Sequence, residues 1–246
     1  QKAILDGDII LYRAAYWADT EGIDSLEDRL KDDIRKWTPK GIHEVEVAFS
    51  DSRKNNYRRD HWSKYKANRD GLSHPECLGI AREIAVDISN SVMEERLEAD
   101  DLLGIAASSN KAIAVTVDKD LKGVPGWHWN PDKEKEVQYI TKKEAHRFFC
   151  IQWMTGDRTD GLPGLWRIGP KKAEKFLDGL DPEDWEHKII ERYKEEERPE
   201  GREIDMDPVD FAVAMARCIR ILHYREYDFE NKVFNLLNLD PFLKVG

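Results

Sequence analysis

Cysteine is scarce in this chain, and none of its three thiols stands near another: Cys77, Cys150 and Cys218 show no C-x-x-C spacing. That excludes a disulfide framework and a thiolate zinc site, and it fits a reducing cytoplasm with free structural thiols. The seven histidines show no ligand spacing either, so no imidazole-built metal centre and no His- or Cys-centred nucleophile is expected. Long apolar runs are missing too. The first sixteen residues are apolar in part, but Asp6, Asp8 and Arg13 interrupt them, so neither a signal peptide nor a membrane span is expected. A positive overall balance is also absent, since the 246 residues carry a formal net charge of -10. Any affinity for a polyanion must therefore rest on local charge. There is no internal repeat and no low-complexity tract.

What is there begins with 40 % hydrophobic and 36 % charged residues. This suffices for one large α/β domain, or one with a helical addition, under a well-solvated surface. The chain is organised around residues 92–121. Glu98, Asp100 and Asp101 sit at an expected helix start, Asn110 at its stop, then an apolar run over residues 112–117, then Asp118 and Asp120. The run is of the buried parallel-strand type, so Asp118 falls at a strand's carboxyl end, where open α/β sheets place their sites. Carboxylates crowded into such a crevice repel one another and take up protons unless a cation sits among them. All-oxygen ligands favour hard divalent ions such as Mg²⁺ or Mn²⁺. Each half has a plainer reading: acids in a first helical turn suit the macrodipole, and Asp-Lys-Asp makes a common solvated turn. Their co-occurrence, with more acidic pairs elsewhere, favours the metal.

Other pieces fall in around this stretch. Residues 3–5 read as a strand ending near Asp6, with Asp8 close to the next helix start. Leu26, Leu30, Ile34 and Trp37 mark an amphipathic helix, and the alternation of Val45, Val47 and Phe49 marks a second strand that delivers Asp51. Residues 52–69 differ sharply: Arg53, Lys54, Arg58, Arg59, Lys64, Lys66 and Arg69 face Asp60 alone, a net charge of +6. With Tyr57, Trp62 and Tyr65 between them, these bases match a single-strand track, where cations meet phosphates and rings stack on bases. A solvated amphipathic helix is the alternative. A buried-face helix is expected over residues 75–93, a loop over 123–132, a short strand over 137–140, and a capping box at Thr141 and Glu144. Residues 156–177 add Asp157 and Asp160, a Pro/Gly-rich turn and a helix starting at Gly169-Pro170. Lys171 and Lys172 lie in that helix's first turn, beside free backbone N–H groups suited to phosphate.

Taken together, the blocks ILDGDIILYRA, FSDSRKNNYRRDHWSKYKANR, LEADDLLG with VTVDKDL, and GDRTDGLPGLWRIGPKKA resemble, in order, those of the 5′-nuclease family. That family comprises flap endonucleases, phage 5′-to-3′ exonucleases and the 5′-nuclease domain of bacterial DNA polymerase I. The resemblance runs from about Ala3 to Leu177 and looks most like a phage member. It implies a PIN-like α/β region over residues 1–150 with a basic arch at 52–73, and a helical region over 151–246 with a helix-three-turn-helix that binds duplex DNA. It implies two Mg²⁺ or Mn²⁺ ions held by Asp6, Asp51, Glu98, Asp100 and Asp101 and by Asp118, Asp120, Asp157 and Asp160. Arg58 and Lys64 are carried over as catalytic bases of the arch. DNA would be held by Arg53, Tyr57, Arg58, Lys64, Tyr65, Lys66 and Arg69, then by Gly164, Gly169, Lys171 and Lys172. The family often places a monovalent cation at the duplex-binding turn; Arg167 and Lys172 depart from its pattern there. Expected partners are DNA with a 5′ end, flap or gap, and RNA–DNA hybrids. The protein is expected to be a monomer in the host bacterium's cytoplasm. Two alternatives stand beside this: a haloacid-dehalogenase-like phosphatase built on Asp6 and Asp8, and a DNA-binding member of the same fold that cuts nothing.

Overall fold

The computed structural model describes residues 2–201 and 203–239, the side chain of Arg53 excepted. The uninterrupted apolar run near the start forms β1 (Lys2–Asp6), the centre of a sheet in the order β3-β2-β1-β4-β5-β6. Its neighbours are β2 (Val45–Ala48), β3 (Ser91–Val92), β4 (Ala112–Val115), β5 (Gly126–Trp129) and β6 (Gln138–Ile140). All pairings are parallel except that of β5 with β6. Register places Asp6 opposite Ala48 and Leu5 opposite Val115, so β1, β2 and β4 end side by side. The chain builds outward from β1 to β3 and then returns to the other side of β1. That reversal opens a crevice between β1 and β4, at the strands' carboxyl ends.

Alternation along each strand divides two cores. Leu5, Val47 and Val115 face α1 (Gly7–Glu21), α2 (Leu26–Trp37) and, beyond α3 (Arg58–His61), α4 (Leu78–Ile88). Ile4, Ala48 and Ala114 face α5 (Ala99–Ser108), with Ile221 and Leu222 from the far end of the chain. A third core joins α6 (Lys142–Thr155), α7 (Pro170–Asp178), α8 (Trp185–Lys194) and α9 (Pro208–Ile219) around Trp153, Tyr193 and Phe211. The class expected from the sequence, a mostly parallel sheet flanked by helices with more helices in the second half, is the one found.

Several boundaries differ. The helix expected over 75–93 stops at Ile88, because the chain turns extended to add β3 to the sheet edge. The loop expected over 123–132 contains β5; its Gly and Pro residues hid a strand whose partners are 10 or more residues away in sequence. A division at residue 150 falls inside α6, which runs unbroken to Thr155 and uses the Thr141–Glu144 capping box. Tyr65 from the basic segment belongs to the helical core, so the two halves share packing. The basic segment itself is no free arch. It is a 3-10 turn (Arg53–Asn55), α3, and a second 3-10 turn (Ala67–Arg69), laid against the body. The end of the chain packs back as expected, a hairpin of β7 (Tyr227–Asp228) and β8 (Val233–Phe234) whose Phe234 ring stands 4.5 Å from Tyr57. Residues 240–246 lie outside the described residues.

Candidate metal and nucleic-acid site

A cavity of about 1110 Å³ opens at the carboxyl ends of β1, β2 and β4. Nine carboxylates line it: Asp6, Asp8, Asp51, Glu98, Asp100, Asp118, Asp120, Asp157 and Asp160. Eight of the nine residues expected to hold metal are therefore gathered in one place, together with Asp8. The cavity wall also carries Lys66, Arg69, Arg82 and Gln152, and on another side Tyr12, Tyr16 and His74.

The strand ends fix the first group. Asp6, 3 % exposed, caps α1 by accepting from Ile9 N (3.2 Å), and Thr116 Oγ1 donates to its other oxygen at 2.7 Å. Burial, then the neighbouring Asp8 and Asp118, push its pKa up to about 7 against the pull of those hydrogen bonds. Asp8 accepts from Ser50 N at 3.2 Å, and burial raises it as well. Asp51 lies just past β2, where burial is outweighed by donors from Arg96 N (2.8 Å), Ser52 N and Asn55 Nδ2 (3.1 Å), so its pKa is lowered. Glu98 caps α5. Burial is overridden there by Lys66 Nζ (2.6 Å), Arg58 and the Tyr65 hydroxyl (2.8 Å), which hold its pKa near about 2. For Asp100, burial, with Asp6, Asp118 and Glu98 nearby, outweighs the pull of Lys66 and raises the pKa well above the ordinary value.

The second group hangs from β4 and α6. Asp118 caps the 3-10 turn Lys119–Gly123, accepting from Asp120 N at 2.9 Å. Asp120 accepts from Gln152 Nε2 at 2.7 Å, and burial, then Asp118, push its pKa up to about 6. Asp157 orders its own turn through Thr159 N at 2.7 Å. Asp160 pairs with Arg69 and lies 3.7 Å from Lys66 Nζ, yet burial still raises its pKa.

Such a set fits hard divalent cations: every donor is oxygen, and burial together with the neighbouring acids raises the pKa of several of the carboxyls. Among the described residues no three of these groups stand close enough together to form a finished ligand shell. Glu98 pairs with Lys66 and Asp160 with Arg69.

Asp101 is the metal candidate the structure removes. It is 0 % exposed and does not line the cavity; Arg58 takes both of its oxygens, at 2.6 and 2.7 Å. Arg58, expected to grip DNA, is 2 % exposed and stands in the cavity wall with its guanidinium turned to Asp101. Tyr57 and Tyr65, each 2 % exposed, are core rings, and Tyr65 also borders the cavity. Lys66 is buried beside Glu98 but keeps its place in the cavity wall. Lys64 is exposed as expected, over the Trp62 ring, and Arg69 is half-buried at the cavity edge. The Arg53 side chain lies outside the described residues.

Farther along, Gly156 (φ 67°) and Gly164 pass so closely that a Cβ on either would strike the other's backbone. Gly164 is buried and its carbonyl accepts from Arg198, so it shapes the turn and offers no surface to a ligand. Arg167 takes the left-handed conformation at φ 57°, and Lys172 Nζ donates to its carbonyl at 3.1 Å. Gly169 caps α7, with Lys171 and Lys172 exposed at its start. Thr116 and Gln152 were missed by sequence reading. Thr116, just past β4 and two residues before Asp118, had a readable signal; Gln152 had none, since its partner lies 32 residues away.

No protein-family profile matches the chain. It is 30 % identical over 193 residues to DNA polymerase I of Rhizobium leguminosarum, covering 71 % of this chain and 18 % of that protein. It is 32 % identical over 162 residues to an exodeoxyribonuclease of Enterobacteria phage T3, covering 62 % of this chain and 52 % of that one. To an exonuclease of Escherichia phage T7 it is 25 % identical over 239 residues, 84 % of this chain and 78 % of the relative. The chain thus spans about half or less of the length of the first two. Among solved structures, the phage T5 5′-exonuclease with zinc bound superposes with a TM-score of 0.63 at 15 % identity, over 89 % of this chain and 88 % of that one. The fold shared with that phage exonuclease and the similarity to these phage nucleases together support placing the chain with the 5′-nuclease family.

Proposed function

We propose that this protein is a divalent-metal-dependent nuclease that hydrolyses DNA phosphodiesters at or near 5′ ends, as a 5′-to-3′ exonuclease, a flap endonuclease or both. The observation that carries this reading is the convergence of nine carboxylates from separate segments on one cavity at the sheet's carboxyl edge, where burial raises the pKa of several of them. The names of the phage T3 and T7 relatives support the substrate class.

Asp6, Asp51, Glu98 and Asp100, with Asp8 added, form one set of ligands, and Asp118, Asp120, Asp157 and Asp160 the other. Two bound Mg²⁺ or Mn²⁺ ions would supply a water ionised at neutral pH and a counter-charge for the leaving oxygen. The protein's own residues do the rest. Lys66 and Arg69, now folded onto Glu98 and Asp160, are placed to exchange those partners for the substrate phosphate. Thr116 and Gln152 orient Asp6 and Asp120. The start of α7, with Gly169, Lys171 and Lys172, holds the duplex backbone as the second helix of a helix-three-turn-helix, giving selectivity for structure over sequence. With Lys172 bonded to the Arg167 carbonyl, a monovalent cation is not required at that turn. The protein acts as a monomer on duplexes with a 5′ end, flap or gap, and accepts RNA–DNA hybrids. No helix among the described residues is long and apolar enough to cross a membrane.

The phosphatase alternative needs Asp6 free to attack, whereas its oxygens are taken by Ile9 N and Thr116, and it leaves the second acidic set without a role. The test is a 5′-labelled duplex, flap and gapped substrate incubated with and without Mg²⁺. Cleavage near the 5′ end only with the ion supports the reading, and DNA binding without cleavage would mark a non-cutting member of the fold.

A further inference from the structure

Arg58 has every donor engaged in the interior. Its two terminal nitrogens grip Asp101 at 2.7 and 2.6 Å, Nε donates to the Cys218 carbonyl at 2.9 Å, and one terminal nitrogen also donates to the Arg220 carbonyl at 2.9 Å. A further contact of 3.4 Å reaches Glu98. Asp101 in turn accepts from Glu98 N (3.1 Å) and Leu222 N (3.2 Å). One ion pair therefore ties the basic segment, the first turn of α5 and the chain leaving α9, segments separated by as many as 162 residues.

The first turn of α5 carries Glu98, Asp100 and Asp101, of which two line the cavity and the third faces Arg58. Successive helical residues differ in direction by about 100°, so the rotation of this turn decides which acids face the cavity. We infer that Arg58 and Asp101 form a buried positioning pair, which locks the rotation of α5 against the helical half and so sets Glu98 and Asp100 for a divalent ion. The inference rests on the proposed nuclease reading and adds to it a residue of the cavity wall that acts through Asp101 and Glu98. Only a planar fork serves two carboxylate oxygens and two carbonyls at once; a lysine in the same place keeps the charge and loses the geometry.

The test uses R58K and the double variant R58M/D101N in the full chain. Unfolding without metal, Mn²⁺ binding to the DNA-free protein by calorimetry, duplex affinity and cleavage of a 5′-flap are compared with the wild type. R58K is expected to remain folded and to bind duplex like the wild type. Its Mn²⁺ affinity should be weaker by about tenfold to a hundredfold, the usual effect of disturbing a group behind a metal ligand, and cleavage should recover as Mn²⁺ is raised. Should R58K lose its unfolding transition, the double variant, which leaves no lone buried charge, carries the same measurement and the same expected loss. Unchanged Mn²⁺ affinity in a folded variant overturns the inference, as does weaker duplex binding with normal Mn²⁺ affinity, which would make Arg58 a DNA contact. A wild type that binds Mn²⁺ without cutting any substrate sinks the nuclease reading and leaves the positioning result standing.

Discussion

Thr116 reaches across from the end of β4 to Asp6 at the end of β1, its hydroxyl donating at 2.7 Å while its oxygen accepts from Asp118 N at 3.0 Å. One buried hydroxyl thus joins the two acidic sets at the point where the strand order reverses. The hydrogen bond favours the charged carboxylate and holds the Asp6 pKa below where burial and its acidic neighbours would put it.

Replacing it should therefore move a pH profile in a definite direction. T116V keeps the shape and removes the donor, so the Asp6 pKa rises above about 7. If the ionised carboxylate is the active form, the acid limb of the cleavage profile shifts to higher pH and activity at pH 7 falls, recovering at pH 9. Two lost buried hydrogen bonds should also lower stability by about 1–3 kcal/mol. Rates of flap cleavage between pH 6 and 9, with a denaturant melt of the same variant, check both; an unshifted acid limb would remove Asp6 from the mechanism.

The raised carboxyl pKa values make a second prediction about the metal-free protein. Asp6 at about 7 and Asp120 at about 6 bind protons more tightly folded than unfolded. Their contribution to stability is therefore full below the ordinary carboxylate range and declines as pH rises from about 4 through 6 and 7. A divalent ion among them removes the penalty by binding the folded state alone. Mg²⁺ should accordingly raise the thermal midpoint at pH 8 and do little at pH 5, where protons already occupy the site. Melts at the two pH values with and without Mg²⁺ decide it, and an equal shift at both would contradict the placement of the ion among these acids.

Much of this site was legible beforehand because its parts are local. The apolar run of β4, the capping box at Thr141 and the Gly-Pro start of α7 each declare themselves within a few residues. The acids could be gathered because strand ends in an α/β sheet share one edge. What stayed hidden depends on partners far away in the chain. A run of bases with interleaved rings looks the same whether it faces DNA or a buried acid, and only the fold brings Asp101 and the Cys218 carbonyl to Arg58. Likewise β3 is two residues long and β5 sits among Gly and Pro, so neither has a periodicity to read.

Charge removal at the second acidic set should separate cutting from holding. D118N/D120N keeps the side-chain size and the turn after β4 but takes two charges from the cavity. Cleavage should fall to background while duplex affinity stays within about twofold, since phosphate contacts lie elsewhere. The same variant should melt higher than the wild type at pH 8 without metal, because the repulsion that raises Asp120 and Asp6 is relieved. Gel-shift, cleavage and melting assays on one preparation read all three, and undiminished cleavage would reject the metal assignment.

The last prediction sets the exposed bases against the buried ones. Lys171 and Lys172 stand exposed at the start of α7, in no ion pair among the described residues, so K171A/K172A should weaken duplex binding without loss of stability. The slope of log affinity against log salt should drop by roughly 0.9 for each phosphate contact removed. Tyr57 and Tyr65 should behave in the opposite way. Both rings are core, Tyr57 against Phe234 and Tyr65 in the helical cluster with its hydroxyl on Glu98. Y57A and Y65A should each cost about 3–5 kcal/mol of stability and leave the salt slope of whatever remains folded unchanged. A tyrosine variant that melts normally yet binds single-stranded DNA poorly would return the basic segment to the role of a stacking track.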